Sequence, residues 1–404
     1  MAHFDPSSRE EEAREEIAAT RVARPLAATL LAFFLALLAS GPALETVAAL
    51  GEGSEIWTEL PHSDGGTLAH ARAIIAELEA RFDHRSELVR RVRPPAQELL
   101  LAALHYGNER AYVGRDGWLF FRPDFDHLTS PARSGELEAA AAAVIDFRDR
   151  LAAAGVALVV VPAPVKLAIE PERFVAGAPV PPLRPAAEAA WRAALDRAGV
   201  EVLDPAPRLA RIARSGRAAY LARDTHWRPE AMDEVARELA VVLRGVAALP
   251  PGEAGRHLER ALAVEGAGDT TALLGLPAGR GGLARERVEI RPVSAPDGAT
   301  FRPTRGAPVL LLGDSFSAVF SQSDLGWGAG GGLGERLAFH LGLPVDRILR
   351  NAGGASATRA ALADELARDP ARLDGVLVVV WQLAAREITQ GEWRPIRFEI
   401  ESRR

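Results

Sequence analysis

Asp224 and His226 stand two apart in RDTHWRPEAM, just before a stretch with helical spacing. Residues of these types serve two chemistries: a carboxylate-oriented imidazole is a general base, and the same two groups are metal ligands. On a solvated loop the pair does neither. A base needs a nucleophile, and Ser315 lies in LLLGDSFS, where an apolar run ends at Gly313 and turns toward a helix. A serine at a helix N-terminus faces free backbone N–H groups and the positive end of the dipole, which stabilise an oxyanion. Its hydroxyl must lose a proton to attack; His226 would take it while Asp224 holds the imidazole. The plainer alternatives are a Ser315 that only caps a helix and an Asp224/His226 pair that only meets water. Asp314 is expected to order the turn through backbone hydrogen bonds. A metal site would need a third ligand, and His105, His127 and His340 stand at no ligand-like spacing, so no metal and no cofactor are expected.

The elements that must carry these residues alternate along the chain. GVALVVVPAPVK (155–166), APVLLLGDSF (307–316) and GVLVVVW (375–381) read as buried strands, with a shorter one near 345–349. Helical patterns cover 135–153, 185–200, 229–246, 335–343 and 358–368. In 229–246, Met232, Val235, Leu239, Val242 and Val246 line one face, and Pro229 suits the first turn. Continuous apolar strands between helices predict an α/β fold, a mostly parallel sheet flanked by helices. Ligands in such sheets bind beyond the carboxyl ends of the strands, where the Asp224/His226 loop and Ser315 are both expected. Gly114–Gly117 reads as a turn between two β-prone runs, 67–92 as a helix ending at Pro94-Pro95, and 247–305 as irregular.

The chain has 404 residues, a net charge of −6 and no cysteine. That excludes disulfides and thiol chemistry and gives no reason to expect nucleic acid. Residues 25–44 are twenty positions without a charge, enough to cross a bilayer core of roughly 30 Å. Arg9, Arg14, Arg21 and Arg24 precede the run, and no Lys or Arg follows until Arg72. This asymmetry predicts a cytoplasmic tail (1–24), a transmembrane signal-anchor (25–44), a tether and helical stalk (45–106), an extracytoplasmic domain (107–395) and a tail (396–404). A cleaved signal peptide is the alternative.

GRDGWLFF, VVVPAPVKLAIEPERF, DTHW, GDTTALLGLP, LLLGDSF, PVDRILRNAGGASATR and VVVWQLAAREITQGEW occur in that order between about Gly107 and Trp393. Together they resemble the SGNH-hydrolase-like alginate and exopolysaccharide O-acetyltransferases. The resemblance implies a periplasmic enzyme, held at the bacterial inner membrane, that acetylates an exported polysaccharide. Ser315 would be the acetyl-accepting nucleophile, His226 the base and Asp224 its orienting partner. It also implies a membrane-bound O-acyltransferase that supplies the acetyl group. Asn351 with Gly353 and Gly354 is the nearest candidate for further oxyanion donors, or is simply a tight turn. Lys166 meets an acidic sugar or stabilises the fold. Trp118, Trp227 and Trp327 offer sugar-stacking faces or fill the core. A polysaccharide acetylesterase with the same triad and a non-catalytic polysaccharide-binding scaffold remain as alternatives.

Overall fold

Strands buried on both faces read as unbroken apolar runs because neither side meets water, and three such runs form the centre of this fold. The computed structural model describes residues 25–36, 40, 87–131, 135–276, 279–351 and 353–396. They fall into two units, Met1–Ala96 and Gln97–Arg404. In the second unit β1 (Ala111–Val113) and β2 (Leu119–Phe121) form an antiparallel hairpin around the Gly114–Gly117 turn. Then come α1 (Glu136–Ala153), β3 (Ala157–Ala163), α2 (Lys166–Ile169), α3 (Ala186–Arg197), β4 (Glu201–Val202), α4 (Ala206–Arg214) and α5 (Pro229–Val246). β5 (Leu262–Gly266), α6 (Asp269–Leu273) and β6 (Glu286–Ile290) follow. The chain continues through β7 (Val309–Gly313), α7 (Ser315–Ala318), α8 (Leu333–Leu341), β8 (Val345–Leu349), α9 (Gly354–Arg368) and β9 (Val378–Ala384).

The main sheet has the order β8-β7-β9-β3-β4, parallel throughout. Side chains alternate between its faces. Val159, Val161, Val309, Leu311, Val378 and Val380 join one core with α4, α5 and α8. Leu158, Val160, Leu310, Leu312, Val379 and Trp381 join the other with α1, α3 and α9. Each fully buried Val or Leu contributes roughly 1.5–3 kcal/mol, so both faces must be covered. On α5 the buried stripe is Met232, Val235, Ala236, Leu239 and Leu243, while Val242 and Val246 sit at its half-buried edge.

Two expectations change. The helix Glu87–Leu104 runs through Pro94 and Pro95, where the sequence predicted an end. Proline's fixed φ is itself helical, but each ring removes a donor and crowds the carbonyl four residues back, so the two prolines weaken this helix without ending it; residues 67–86 lie outside the described residues. The segment 247–305 is partly regular: β5 and β6 pair antiparallel, with α6 between them. Of the run 25–44, residues 25–36 are helical and exposed, and 37–39 and 41–44 lie outside the described residues. Among the described residues no helix is long and apolar enough to cross a membrane.

Candidate functional site

After α4 the chain makes a tight turn over 221–226. Leu221 N–H donates to the His226 carbonyl at 3.1 Å, and Tyr220 and Trp227 form a β-bridge beneath it. Asp224, Thr225 and His226 lie in this turn, and all three are buried. Asp224 Oδ1 accepts from His226 Nδ1 at 2.6 Å and from the His226 backbone N–H at 3.1 Å. Its Oδ2 accepts from Trp327 Nε1 at 2.8 Å and from the Asp269 N–H at 3.0 Å. Four donors on one buried carboxylate offset the cost of removing its charge from water. A carboxylate only accepts, so the proton of the imidazole is on Nδ1 and Nε2 presents a lone pair. Among the described residues His226 Nε2 is buried with no hydrogen-bond partner.

The charges of the pair follow from this packing. Burial alone would lower the His226 pKa, but the adjacent Asp224 carboxylate outweighs it and raises the imidazole above its usual range. Burial alone would raise Asp224; the imidazole beside it, with Trp327 and the Asp269 N–H, holds it below the usual carboxylate range.

Lys166 explains why the turn sits where it does. As the first residue of α2, just beyond the end of β3, it is 1% exposed. Its Nζ donates to the carbonyls of Leu119 (2.6 Å), Ala222 (2.8 Å) and Asp224 (3.1 Å) and lies 5.0 Å from the ring centres of Trp118 and Phe120. All three ammonium protons are engaged. Burial brings its pKa down to about 8, against the pull of Asp224, Asp269, Glu286 and Asp124. A contact between Lys166 and an acidic sugar is therefore corrected: this side chain has no free donor and no exposed surface. Trp327 is corrected for the same reason. It is buried, its indole N–H is given to Asp224, and no ring face is open to a sugar. Trp118 and Trp227 are buried too.

Ser315 is half-buried at the first position of α7, immediately beyond β7. There its own N–H lies outside the helical ladder. Asp314 caps the turn: its Oδ1 accepts from Phe316 N–H at 2.8 Å and its Oδ2 from Ala384 N–H at 2.6 Å. Gln382 on β9 ties the same turn down, its Oε1 accepting from Asp314 N–H (3.2 Å) and Ser317 Oγ (2.6 Å). The two loops meet at Phe316. Its ring centre is 4.8 Å from that of His226, and its carbonyl accepts from Trp227 Nε1 at 3.0 Å.

The segment leaving β8 lies beside this turn, since Arg350 N–H donates to the Gly313 carbonyl at 3.0 Å. Asn351 is exposed and donates through Nδ2 to Gln322 Oε1 at 2.7 Å. Gly353 (φ +94°) and Gly354 (φ +64°) start α9 against Glu387, whose carboxylate accepts from Ala355 N–H at 3.1 Å. Among the described residues no hydrogen bond joins Asn351, Gly353 or Gly354 to Ser315 or His226. The histidines considered as third metal ligands lie elsewhere: His127 bonds Thr389, His340 bonds Asp233, and His105 is exposed.

The residue the sequence reading missed is Asp269. One ligand atom each from Asp224, His226 and Asp269 lie within 4.8 Å of one another, an arrangement a cation could share. The nitrogen facing the two carboxylates carries a proton, however, and a ligating imidazole nitrogen must be bare. As built, hydrogen bonds hold the cluster together. The available signal was GDTT directly after the alternating residues of β5. A separate cleft of about 840 Å³ adjoins the site, with Arg228, Asp233, Arg237, Arg287 and Arg336 in its walls, but Asp224, His226 and Ser315 do not line it.

Comparison with known proteins bears on the family and the fold. Residues 111–385 match the family model described as SGNH hydrolase-like domain, acetyltransferase AlgX. The chain is 31% identical over 180 residues to the probable alginate O-acetylase AlgJ of Pseudomonas aeruginosa, covering 44% of this chain and 43% of that protein. It is 28% identical over 256 residues to the protein of the same description from Azotobacter vinelandii, covering 60% and 63%. In both cases it spans less than two thirds of the relative's length. The O-acetyltransferase domain of Pseudomonas putida AlgJ has the same fold, with a TM-score of 0.52 and 22% identity over 69% of this chain and 92% of that one. With more than half its length matched by the family model, and the parallel sheet and flanking helices of that fold, the chain belongs to the SGNH hydrolase-like acetyltransferase family of AlgX.

Proposed function

We propose that this chain is an O-acetyltransferase that carries an acetyl group as an ester on Ser315 and passes it to a hydroxyl of an exported, alginate-like polysaccharide. The observation that carries this reading is the unpartnered Nε2 of His226, on an imidazole fixed by Asp224 and packed against the residue after Ser315. In the first step Ser315 Oγ attacks the acetyl carbonyl, its proton passes to Nε2, and the leaving group departs with that proton. In the second a sugar hydroxyl gives its proton to Nε2 while its oxygen attacks the acetyl-serine. The C–Oγ bond breaks and Ser315 recovers the proton. The Ser315 N–H is suited to hold the developing oxyanion. Asn351 and the glycines after it are the candidates for further donors.

The acceptor class is supported by the relatives described as probable alginate O-acetylases. The uncharged run 25–44 and the arginines before it support an anchor in the bacterial inner membrane with the catalytic unit in the periplasm. Acetyl-CoA is not expected on that side, so the donor is proposed to be a membrane-bound O-acyltransferase.

Intact-mass analysis of the full chain in detergent, after incubation with a small activated acetyl ester, tests the first step. The expected result is one acetyl group on Ser315 that moves to added acetyl-free oligosaccharide. Acetate released at the same rate with or without sugar would replace the reading with an acetylesterase. A folded protein that neither gains acetyl nor releases acetate would point to a binding scaffold.

A further inference from the structure

Asp269 stands where a second carboxylate can act on the same imidazole, and it is the last link in a chain of close contacts. Gly268 has φ +83°, and a Cβ there would lie 2.0 Å from the Arg223 carbonyl oxygen. Only glycine lets α6 begin flush against the 221–226 turn. Thr270 N–H donates to that same carbonyl at 3.2 Å. Asp269 then grips the turn with both of its parts. Its backbone N–H goes to Asp224 Oδ2. Its Oδ1 accepts from Thr225 N–H at 2.8 Å and from Thr270 Oγ1 at 3.0 Å, and its Oδ2 accepts from Thr225 Oγ1 at 2.5 Å. Oδ2 also lies 3.7 Å from His226 Nδ1. Burial and the neighbouring Asp224 charge raise the pKa of this carboxyl, and the three donors, with His226, work against that rise and favour its ionised form.

We propose, on the basis of the function proposed above, that Asp269 is a positioning residue for the transfer step: its carboxylate fixes Thr225 and shares with Asp224 the stabilisation of the imidazolium that forms at His226. The acidic groups acting on His226 come from three elements: Asp224 from the turn itself, Asp269 from α6 and Asp314 from the β7–α7 turn. Lys166, from α2, opposes them through the Asp224 carbonyl. Asp224 is buried, whereas the Asp269 side chain is 39% exposed. It can therefore be changed without emptying the core.

Asp269→Asn keeps the size and an acceptor for Thr225 N–H while removing the charge. The base works in its neutral form, so activity climbs as pH rises through the His226 pKa. Removing a negative neighbour lowers that pKa, so the acid limb of the pH–rate profile is expected to move to lower pH. The plateau kcat should fall roughly tenfold or more, with KM changed by less than about twofold. The measurement uses the full chain, an activated acetyl ester and an acetyl-free oligosaccharide. Asp269→Glu, which restores the charge on a longer arm, should bring the limb back toward wild type. It decides the matter if the asparagine variant does not fold. An asparagine variant with wild-type kcat and limb, or a glutamate variant whose limb is displaced to lower pH, would overturn the proposal. Transfer that survives Ser315→Ala would instead overturn the underlying function, whatever Asp269→Asn does.

Discussion

Replacing His226 by alanine is expected to lower acetyl transfer by roughly 10³-fold or more while the protein stays folded. The loss is large because the proposed mechanism makes His226 the base, and the Ser315 hydroxyl cannot lose a proton unaided. The fold should survive because Asp224 keeps three backbone and indole donors without the imidazole, from residue 226, Asp269 and Trp327. The pH dependence of stability provides a check on the side chain itself. His226 is raised by Asp224, so it adds stability below its ordinary pKa near 6.5, and this is lost as pH rises through the higher native value. The stability gap between wild type and the alanine variant should therefore narrow with rising pH across that window. Acetyl transfer rates and thermal melts on the same samples test both parts. A folded variant within tenfold of the wild-type rate would remove His226 from the mechanism.

Lys166→Met is expected to produce the largest loss of stability among the residues of the site. Methionine fills a similar volume but donates nothing, so the carbonyls of Leu119 and Asp224 lose a donor inside the protein. Ala222 keeps only the Leu119 N–H. An unsatisfied buried group costs about 1–3 kcal/mol. Two of them, less the benefit of burying no charge, give a net loss of about 2–5 kcal/mol. For a domain of this size that is a fall in Tm of about 10 °C. Linkage predicts a second difference. The native ammonium titrates near 8 and the unfolded one near 10.5, so in wild type the unfolded state holds more protons between these values and stability gains from Lys166 as pH rises. The methionine variant should lack that rise. A variant as stable as wild type at neutral pH would mean the three carbonyls find other partners.

What the sequence discloses and what it hides divide along physical lines. β3, β7 and β9 are readable because a strand buried on both faces has few polar positions to interrupt it, Gln382 being the exception in β9. The Asp224/His226 turn and the Ser315 turn are readable because both abut helix starts, Pro229 in one case and the Asp314 cap in the other. Lys166 is not readable. A lysine after a strand is ordinarily solvated, and its burial here depends on carbonyls from β2 and the 221–226 turn, 47 and 56–58 positions away. Trp327 is hidden for the same reason, its acceptor being 103 positions upstream. Asp269 was obscured by the Gly, Pro and Arg around it. Yet Leu262 and Val264, opposite Ile290 and Val288, already alternate in the way a two-stranded hairpin requires.

The indole of Trp227, next to the 221–226 turn, is hydrogen-bonded to Phe316 in the Ser315 turn, and the indole of Trp327 to Asp224 in the 221–226 turn. Both are buried, so their emission is expected to be that of a dry environment, and release of either turn is expected to expose them to water. The protein thus carries two intrinsic optical probes of whether the 221–226 turn is seated. With phenylalanine at either position assigning the signal, the integrity of the site becomes readable by fluorescence, in the absence of donor, acceptor or membrane.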